Sequence, residues 1–595
     1  MQDQASSSKG ESRLARKAWL RALELTAPIG KDPHLTFPVV VARLARQFAE
    51  MPALLSEQGS WSYRELGERA NRCAHWALAQ GIGRGDRVCL ILPNCREYLA
   101  LWLGITRIGA VAALVNAHLT GEALLHAIDA AMPHHIIVDP ALAGVVAAVR
   151  TRLPATAQIW VLGSGGHGFP ELDSELARQS TEPLSEKECA APVLTDLALL
   201  IYTSGTTGLP KAARASHLRL MQWTHWFAGM METSPNDRLY NCLPMYHAVG
   251  GIAAVGATLV GGGSMVIRRR FSAGAFWDDL AATECTLFQY IGELCRYLVQ
   301  SPPRPSETQH RIRLCCGNGL SADVWERFQT RFRIPRILEF YAASEGVMSL
   351  FNPEGKRGSI GRVPPFLAHR FPAALIKLDM ETGEPQRGAD GRCIHCAVGE
   401  IGEAIAAADR GRFEGYTDGA ASARKLLHDV FSSGDAWFRT GDLMRQDANG
   451  YFYFVDRIGD TFRWKGENVS TSEVARALAG CVGVVETVVY GVKIPGTEGR
   501  AGMASIVTAA NFDLARFQQD MAALLPDYAQ PLFLRQRSAI ETTATLRPLK
   551  QDLVRDGFDP AASADPLYFL DRARQIFVAL DAALYGRIIA GEIKL

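Results

Sequence analysis

Tyr202-Thr203-Ser204-Gly205-Thr206-Thr207-Gly208-Leu209-Pro210-Lys211 decides the reading of this 595-residue chain. The run follows Leu197-Ala198-Leu199-Leu200-Ile201, apolar without alternation, which predicts a short strand buried on both faces. Gly205 and Gly208 let backbone N–H groups approach an anion, and Ser204, Thr206 and Thr207 add hydroxyl donors. Lys211 adds a mobile point charge suited to phosphate oxygens. The spacing is not that of a Walker loop: Leu209 and Pro210 separate Gly208 from Lys211, and Ala212 follows, so a polyphosphate loop of another kind is expected. Apolar residues at helical spacing from Leu218 to Met230 predict a helix, and the loop is expected to open it, with the helix N-terminus toward phosphate.

The composition, 48% hydrophobic and 21% charged, is that of a globular protein with room for a few domains. A net charge of +1, with no basic stripe interleaved with aromatics, argues against a nucleic-acid partner. The 12 cysteines form no framework. Cys393-Ile394-His395-Cys396 lacks the second ligand pair of a structural zinc site, so reduced, mostly buried thiols in a reducing cytoplasm are expected.

Residues Met1 to Glu11 are polar and read as a disordered tail. From Arg13 to Leu25 the chain is basic and apolar at helical spacing: either a helix on an anionic membrane surface, at the inner face of a membrane, or a helix docked on its own domain. Val249 to Ile267 is uncharged, but glycines at 250, 251, 256, 261, 262 and 263 predict a buried helix, a turn and a strand rather than a membrane span.

Strand patterns at Asp86–Leu92, His135–Val138 and Ile159–Leu162, with a helical pattern at Tyr98–Ala113, predict α/β layers. From Ser359 to Val455 strand and turn signals dominate. Ser470-Thr471-Ser472-Glu473 reads as a capping box, and Val484–Val492 as a strand. The predicted organisation is a tail and amphipathic helix over 1–30, a large N-terminal domain over 31–458, and a smaller mobile α+β domain over 459–595. The N-terminal domain is expected to hold two α/β sheet subdomains and a small β-rich one.

The phosphate run resembles the signature loop of the adenylate-forming superfamily of acyl-CoA synthetases, luciferases and peptide-synthetase adenylation domains. The likeness extends from about Trp61 to Pro560. Phe288-Gln289-Tyr290-Ile291-Gly292-Glu293 is most similar to the very-long-chain acyl-CoA synthetase and fatty-acid transport protein branch. The resemblance implies roles for residues along the chain. Thr203 to Gly208 and Lys211 would bind the phosphates of ATP. Gly317-Asn318-Gly319 resembles the adenine-side loop, and Tyr341 offers its ring to adenine. Ser344 stands where threonine is usual, and Glu345 offers a hard oxygen to Mg2+. Asp442, in Thr440-Gly441-Asp442, would accept both ribose hydroxyls, and Arg457 would contact ribose or phosphate.

The resemblance also makes Gly459 the pivot of the C-terminal domain, and Lys465, Gly466 and Asn468 neighbours of CoA. Tyr246, His247, Tyr290 and Gly292 would line the acyl pocket, with Tyr246 and His247 bordering the substrate carboxylate and His247 among the catalytic residues. One departure stands out. Arg547 occupies the place of the lysine that bridges carboxylate and α-phosphate, and Lys550 is the alternative. The implied activity is ATP-dependent, Mg2+-assisted ligation of a long or very long fatty acid to CoA. Two alternatives stay open: an adenylating enzyme that serves a carrier protein, and a fatty-acid-binding or transport-associated relative with weakened catalysis.

Overall fold

The strand before the phosphate run spans Leu197–Ser204 and pairs in parallel with Val111–Leu114. On its other side it pairs antiparallel with Pro210–Ser216, Thr203 opposite Lys211 and Ser204 opposite Pro210. The run is therefore a hairpin, and the expectation that it opens a helix is corrected. Lys211 stands in an edge strand that buries the small side chains Ala212, Ala213 and Ala215. The helix His217–Met231 starts only beyond it, capped by Ser216, whose Oγ accepts from Arg219 N at 3.2 Å.

The computed structural model describes residues 2–204, 209–343, 345–379, 382–408, 412–458, 460–465, 467–497, 499–543 and 548–593. The chain divides into two compact units, Met1–Arg362 with Ala408–Leu426, and Val363–Ala407 with Leu427–Leu595. The division does not fall at 458/459: the β-rich segment from 363 groups with the C-terminal residues.

The first unit contains two sheets. An eight-stranded sheet runs in the order Ser349–Asn352, Ile337–Ala342, Leu314–Asn318, Leu287–Ile291, Arg238–Asn241, Ser264–Ile267, Pro52–Ser56, Gly59–Ser62. The six inner strands are parallel and the two outer ones antiparallel. A six-stranded sheet runs Gln158–Val161, His135–Val138, Arg87–Ile91, Val111–Leu114, Leu197–Ser204, Pro210–Ser216, parallel but for the last. The helix expected to reach Ala113 ends at Arg107, and Val111–Leu114, buried throughout, is a sheet strand instead. An apolar run with no polar face carries no period to tell the two apart.

Val249–Ile267 forms a π-helical turn (Val249–Ala253), a helix (Ala254–Val260), a turn and the strand Ser264–Ile267. Among the described residues no helix is long and apolar enough to cross a membrane. The N-terminal segment is helical from Gln2 to Thr26, which corrects the disordered tail. A docked half anchors it, and propagation adds one hydrogen bond per residue. Ala15, Ala18, Trp19 and Ala22 are buried, Trp19 lies edge-on to Trp226 at 6.0 Å, and Arg21 pairs with Glu232 at 3.1 Å. Of the two readings of this helix, docking on its own unit is the one observed.

The second unit holds a sheet that includes Ala373–Ile376, Ile401–Ala407, Ala436–Gln446 and Phe452–Arg457, all antiparallel. A second, mixed sheet runs Val484–Val492, Ala501–Thr508, Phe533–Arg537, Leu567–Asp571, Ile576–Ala579. The helix Thr471–Ala479 follows Ser470, whose Oγ accepts from Glu473 N at 3.3 Å as the capping pattern predicts.

Candidate active site

Parallel strands bring their carboxyl ends to one edge of a sheet, and ligands of α/β proteins bind outside that edge. Here the edge gathers residues at or after the ends of four adjacent strands: Leu243–His247, Gly292, Asn318–Leu320, Tyr341 and Glu345. Asn94 pins the first segment, donating to Leu243 O at 2.8 Å and Arg268 O at 3.0 Å and accepting Met245 N at 2.8 Å. Tyr246 is buried and stacks obliquely on half-buried His247, with ring centroids 4.7 Å apart. Burial lowers the His247 pKa to about 4, so the imidazole is neutral near pH 7.

Tyr290 is completely buried, and its hydroxyl bonds to Glu339. Gly292 packs against the carbonyl of Gly319. Two of the four residues predicted for the acyl pocket, Tyr290 and Gly292, are thus engaged with the Gly317–Leu320 loop. Asn318 Oδ1 is buried and has no hydrogen-bond partner among the described residues. Gly205, Thr206, Thr207, Gly208 and Ser344 lie outside the described residues, as do Gly459, Gly466 and Arg547.

Glu345 is held by residues that the sequence reading missed. Tyr416 donates a short hydrogen bond to Glu345 Oε1, and its hydroxyl also bonds the Thr203 side chain. Burial, then the Glu345 charge, raises the Tyr416 phenol well above its ordinary pKa, so it is a fixed donor. The segment around Tyr416 is added to the Pro210–Ser216 strand: Arg214 N donates to Gly415 O at 3.0 Å and Thr417 N to Ala212 O at 3.0 Å. Arg219 bonds the Glu345 carbonyl and pairs with Glu414 at 3.1 Å, and Glu414 also receives Ser216 N at 2.7 Å. The paired strands Leu197–Ser204 and Pro210–Ser216, the Glu345 carboxylate and the 412–417 segment therefore form one hydrogen-bonded assembly. A single half-exposed carboxylate, linked through Tyr416 to Thr203, fits Mg2+, which keeps most of its waters and takes the rest of its ligands from phosphate.

In the second unit, Asp442 and Arg457 are direct partners across two antiparallel strands, with Arg457 Nε 3.3 Å from Asp442 Oδ1. Asp442 N donates to Thr440 Oγ1 at 3.0 Å, and Gly441 N to the fully buried Glu403 at 3.1 Å. Glu403 is itself neutralised by Arg439 at 2.8 Å. In the strand Phe452–Arg457, Asp456 accepts from the Ser470 and Thr471 hydroxyls, each at 3.1 Å, and from Ser472 Oγ at 3.0 Å. Lys550 Nζ donates to Thr471 Oγ1 at 2.9 Å and lies 3.5 Å from Asp460. Lys465 sits at φ +52° in the turn of the hairpin Phe462–Trp464/Glu467–Val469, with Asn468 in its second strand.

The first unit thus presents the carboxyl edge of a parallel sheet, the place where α/β enzymes bind their ligands. The AMP-binding enzyme profile matches residues 41–416, and the chain belongs to that family. It is 40% identical to mouse long-chain fatty acid transport protein 6 over 91% of this chain and 88% of the relative. It is 39% identical to mouse long-chain fatty acid transport protein 1, covering 94% and 88%. Among solved structures, ATP-bound MatB from Rhodopseudomonas palustris superposes with a TM-score of 0.73 at 25% identity, over 88% of this chain and all (100%) of that one. A Mycobacterium tuberculosis fatty acyl CoA synthetase shares the fold with a TM-score of 0.62 at 23% identity, covering 88% and 99%.

Proposed function

We propose that this chain is an AMP-forming, ATP-dependent fatty acid–CoA ligase for long or very long chains. The observation that carries the reading is the assembly of Thr203, Tyr416 and Glu345 beside Lys211, within a chain about two-fifths identical to long-chain fatty acid transport proteins. The fatty carboxylate attacks the α-phosphorus of ATP. A carboxylate–phosphorus bond forms, the bond to the β-phosphate oxygen breaks, and pyrophosphate leaves. The thiol sulfur of CoA then attacks the acyl carbonyl, AMP departs, and the thiol proton is released. Two modest barriers replace one high one.

Thr203 to Gly208 and Lys211 hold and neutralise the phosphates, the largest electrostatic contribution in phosphoryl chemistry. Glu345 holds Mg2+, which when bound offsets charge on the departing pyrophosphate. Gly317, Asn318, Gly319, Tyr341 and Ser344 receive the adenosine, Asp442 the ribose hydroxyls, and Arg457 the ribose or phosphate. Tyr246 and His247 border the carboxylate. We reassign Tyr290 and Gly292 from the acyl pocket to support of the adenine-side loop, because their contacts are with Glu339 and Gly319. Rotation at Gly459 admits CoA to Lys465, Gly466 and Asn468, and Arg547 or Lys550 supplies the cation of the adenylation step. The outward side of the N-terminal helix, with exposed Leu14, Leu20, Arg16 and Lys17, serves peripheral contact with an anionic membrane.

Pyrophosphate exchange into ATP, measured with a panel of fatty acids and followed by thioester formation on adding CoA, tests the reading. Exchange that depends on chain length and yields acyl-CoA is the expected result. Exchange without thioester points to a carrier-protein enzyme, and acyl binding without exchange to a non-catalytic relative.

A further inference from the structure

Glu339 is 1% exposed, in the strand Ile337–Ala342. Its Oε1 accepts Leu320 N at 3.0 Å, and Gly319 N–H also points to it. Its second oxygen shares a short hydrogen bond with the Tyr290 hydroxyl. The sheet register accounts for the meeting: Tyr290 lies opposite Gly317, and Gly317 opposite Glu339. Residues in one row of a sheet share a face, so Tyr290 reaches Glu339 over the strand between them. A side chain at 317 would block that path, since a Cβ there would lie 2.5 Å from Tyr290 Cδ2. At position 292 a Cβ would lie 1.8 Å from the carbonyl oxygen of Gly319. The ends of three strands and the Gly317–Leu320 loop therefore close on one carboxyl group.

That group is costly to bury. The titratable side chains facing it are Tyr290, Cys295 and Cys316, none of them a cation. Burial pushes its pKa up to about 8, against smaller opposing effects of its hydrogen bonds. An apolar side chain would fill the space at lower cost. What the carboxyl adds is direction: it fixes two successive backbone N–H groups and, through them, the plane of the loop.

We propose that Glu339 is a positioning residue for the nucleotide, holding the Gly317–Leu320 loop from behind through Leu320 N–H and the Tyr290 hydroxyl. The inference rests on the adenine-side reading of that loop. It makes Tyr290 part of the ATP apparatus.

The test uses the full chain with Glu339→Ala, Glu339→Gln and Tyr290→Phe. The readouts are ATP dissociation constants from calorimetry, and KM values for ATP and for the fatty acid measured separately. Loss of a buried acceptor should weaken ATP binding by Glu339→Ala roughly tenfold or more, with the fatty-acid KM unchanged. Glu339→Gln, an isostere of the neutral acid, keeps an acceptor for Leu320 and should restore affinity to within about threefold of wild type. Tyr290→Phe should weaken ATP binding by a few-fold and leave the fatty-acid KM alone. Unchanged ATP affinity in folded Glu339→Ala overturns the proposal, as does a rise in both KM values together. Where Glu339→Ala does not fold, Tyr290→Phe decides, and a shift in the fatty-acid KM alone returns Tyr290 to the acyl pocket. Calorimetry reads ATP binding without turnover, so a wild type that binds ATP but ligates nothing overturns the ligase reading and leaves this one standing. A wild type that binds no ATP overturns both.

Discussion

The Tyr416 hydroxyl donates to Glu345 Oε1, joining residues 71 positions apart in sequence. The same hydroxyl bonds Thr203 near the end of the strand Leu197–Ser204, so one phenol connects that strand to the Glu345 carboxylate. A hydrogen bond to a charged group contributes about 1.5–3 kcal/mol. Tyr416→Phe should therefore slow pyrophosphate exchange roughly tenfold to a hundredfold, with partial recovery at high Mg2+. Exchange rates across a Mg2+ titration check this, and wild-type rates at every concentration would remove Tyr416 from the site.

Arg219 and Glu414 form a largely buried pair, 6% and 21% exposed at the side chain, whose members also hold the Glu345 carbonyl and Ser216 N. Breaking a buried pair from one side leaves an uncompensated charge and costs about 3–5 kcal/mol. Arg219→Ala should lower unfolding stability by that order, measured by denaturant melts. A loss under about 1 kcal/mol would show that water replaces the guanidinium.

His217 is fully buried, and neither ring nitrogen has a partner among the described residues. Burial lowers its pKa from 6.5 to about 4. Between those values the unfolded chain binds the proton and the folded one does not. The contribution of neutral His217 is thus present above about pH 6.5 and lost as pH falls toward 4, on the order of 3 kcal/mol in all. Melting curves across this window should show the loss, and His217→Leu should flatten it. An equally steep fall in the variant would assign the acid sensitivity to other groups.

Asp456 gathers the hydroxyls of Ser470, Thr471 and Ser472 at the start of the helix Thr471–Ala479. Removing the carboxylate strands several donors and should destabilise this part of the second unit by roughly 2–3 kcal/mol. In Asp456→Ala, amide exchange over Thr471–Ala479 should accelerate while the sheet around Val484–Val492 stays protected. Uniform acceleration of both would indicate global rather than local opening.

Lys550 is tied to Thr471 and Asp460 on the surface of the second unit. If it supplies the adenylation cation, Lys550→Ala abolishes exchange and Arg547→Lys leaves the rate unchanged. If Arg547 does, Arg547→Lys speeds the step and Lys550→Ala has little effect. Exchange rates of the two variants separate the cases.

Much of the plan was legible before folding. Continuous apolar runs such as Leu197–Ile201 and His135–Val138 marked buried parallel strands, because a strand covered on both faces needs no polar side. Glycine clusters correctly split Val249–Ile267. Errors arose where local pattern was silent. Ile108–Leu114 has no period to separate helix from strand, and Pro210–Ser216 became an edge strand because its neighbour offered unpaired backbone.

By itself, the sequence determined the class of layers and the family likeness, on which the expected roles of Lys211, Glu345, Asp442 and Arg457 rest. Only the tertiary structure decided which groups hold them. Register alone sets Arg457 opposite Asp442 and carries Tyr290 over Gly317 to Glu339. An added edge segment alone delivers Tyr416 and Glu414. These partners lie many residues away along the chain, where hydrophobic period and motif spacing carry no information, and hydrogen bonds between them form only after the sheets have fixed their distances.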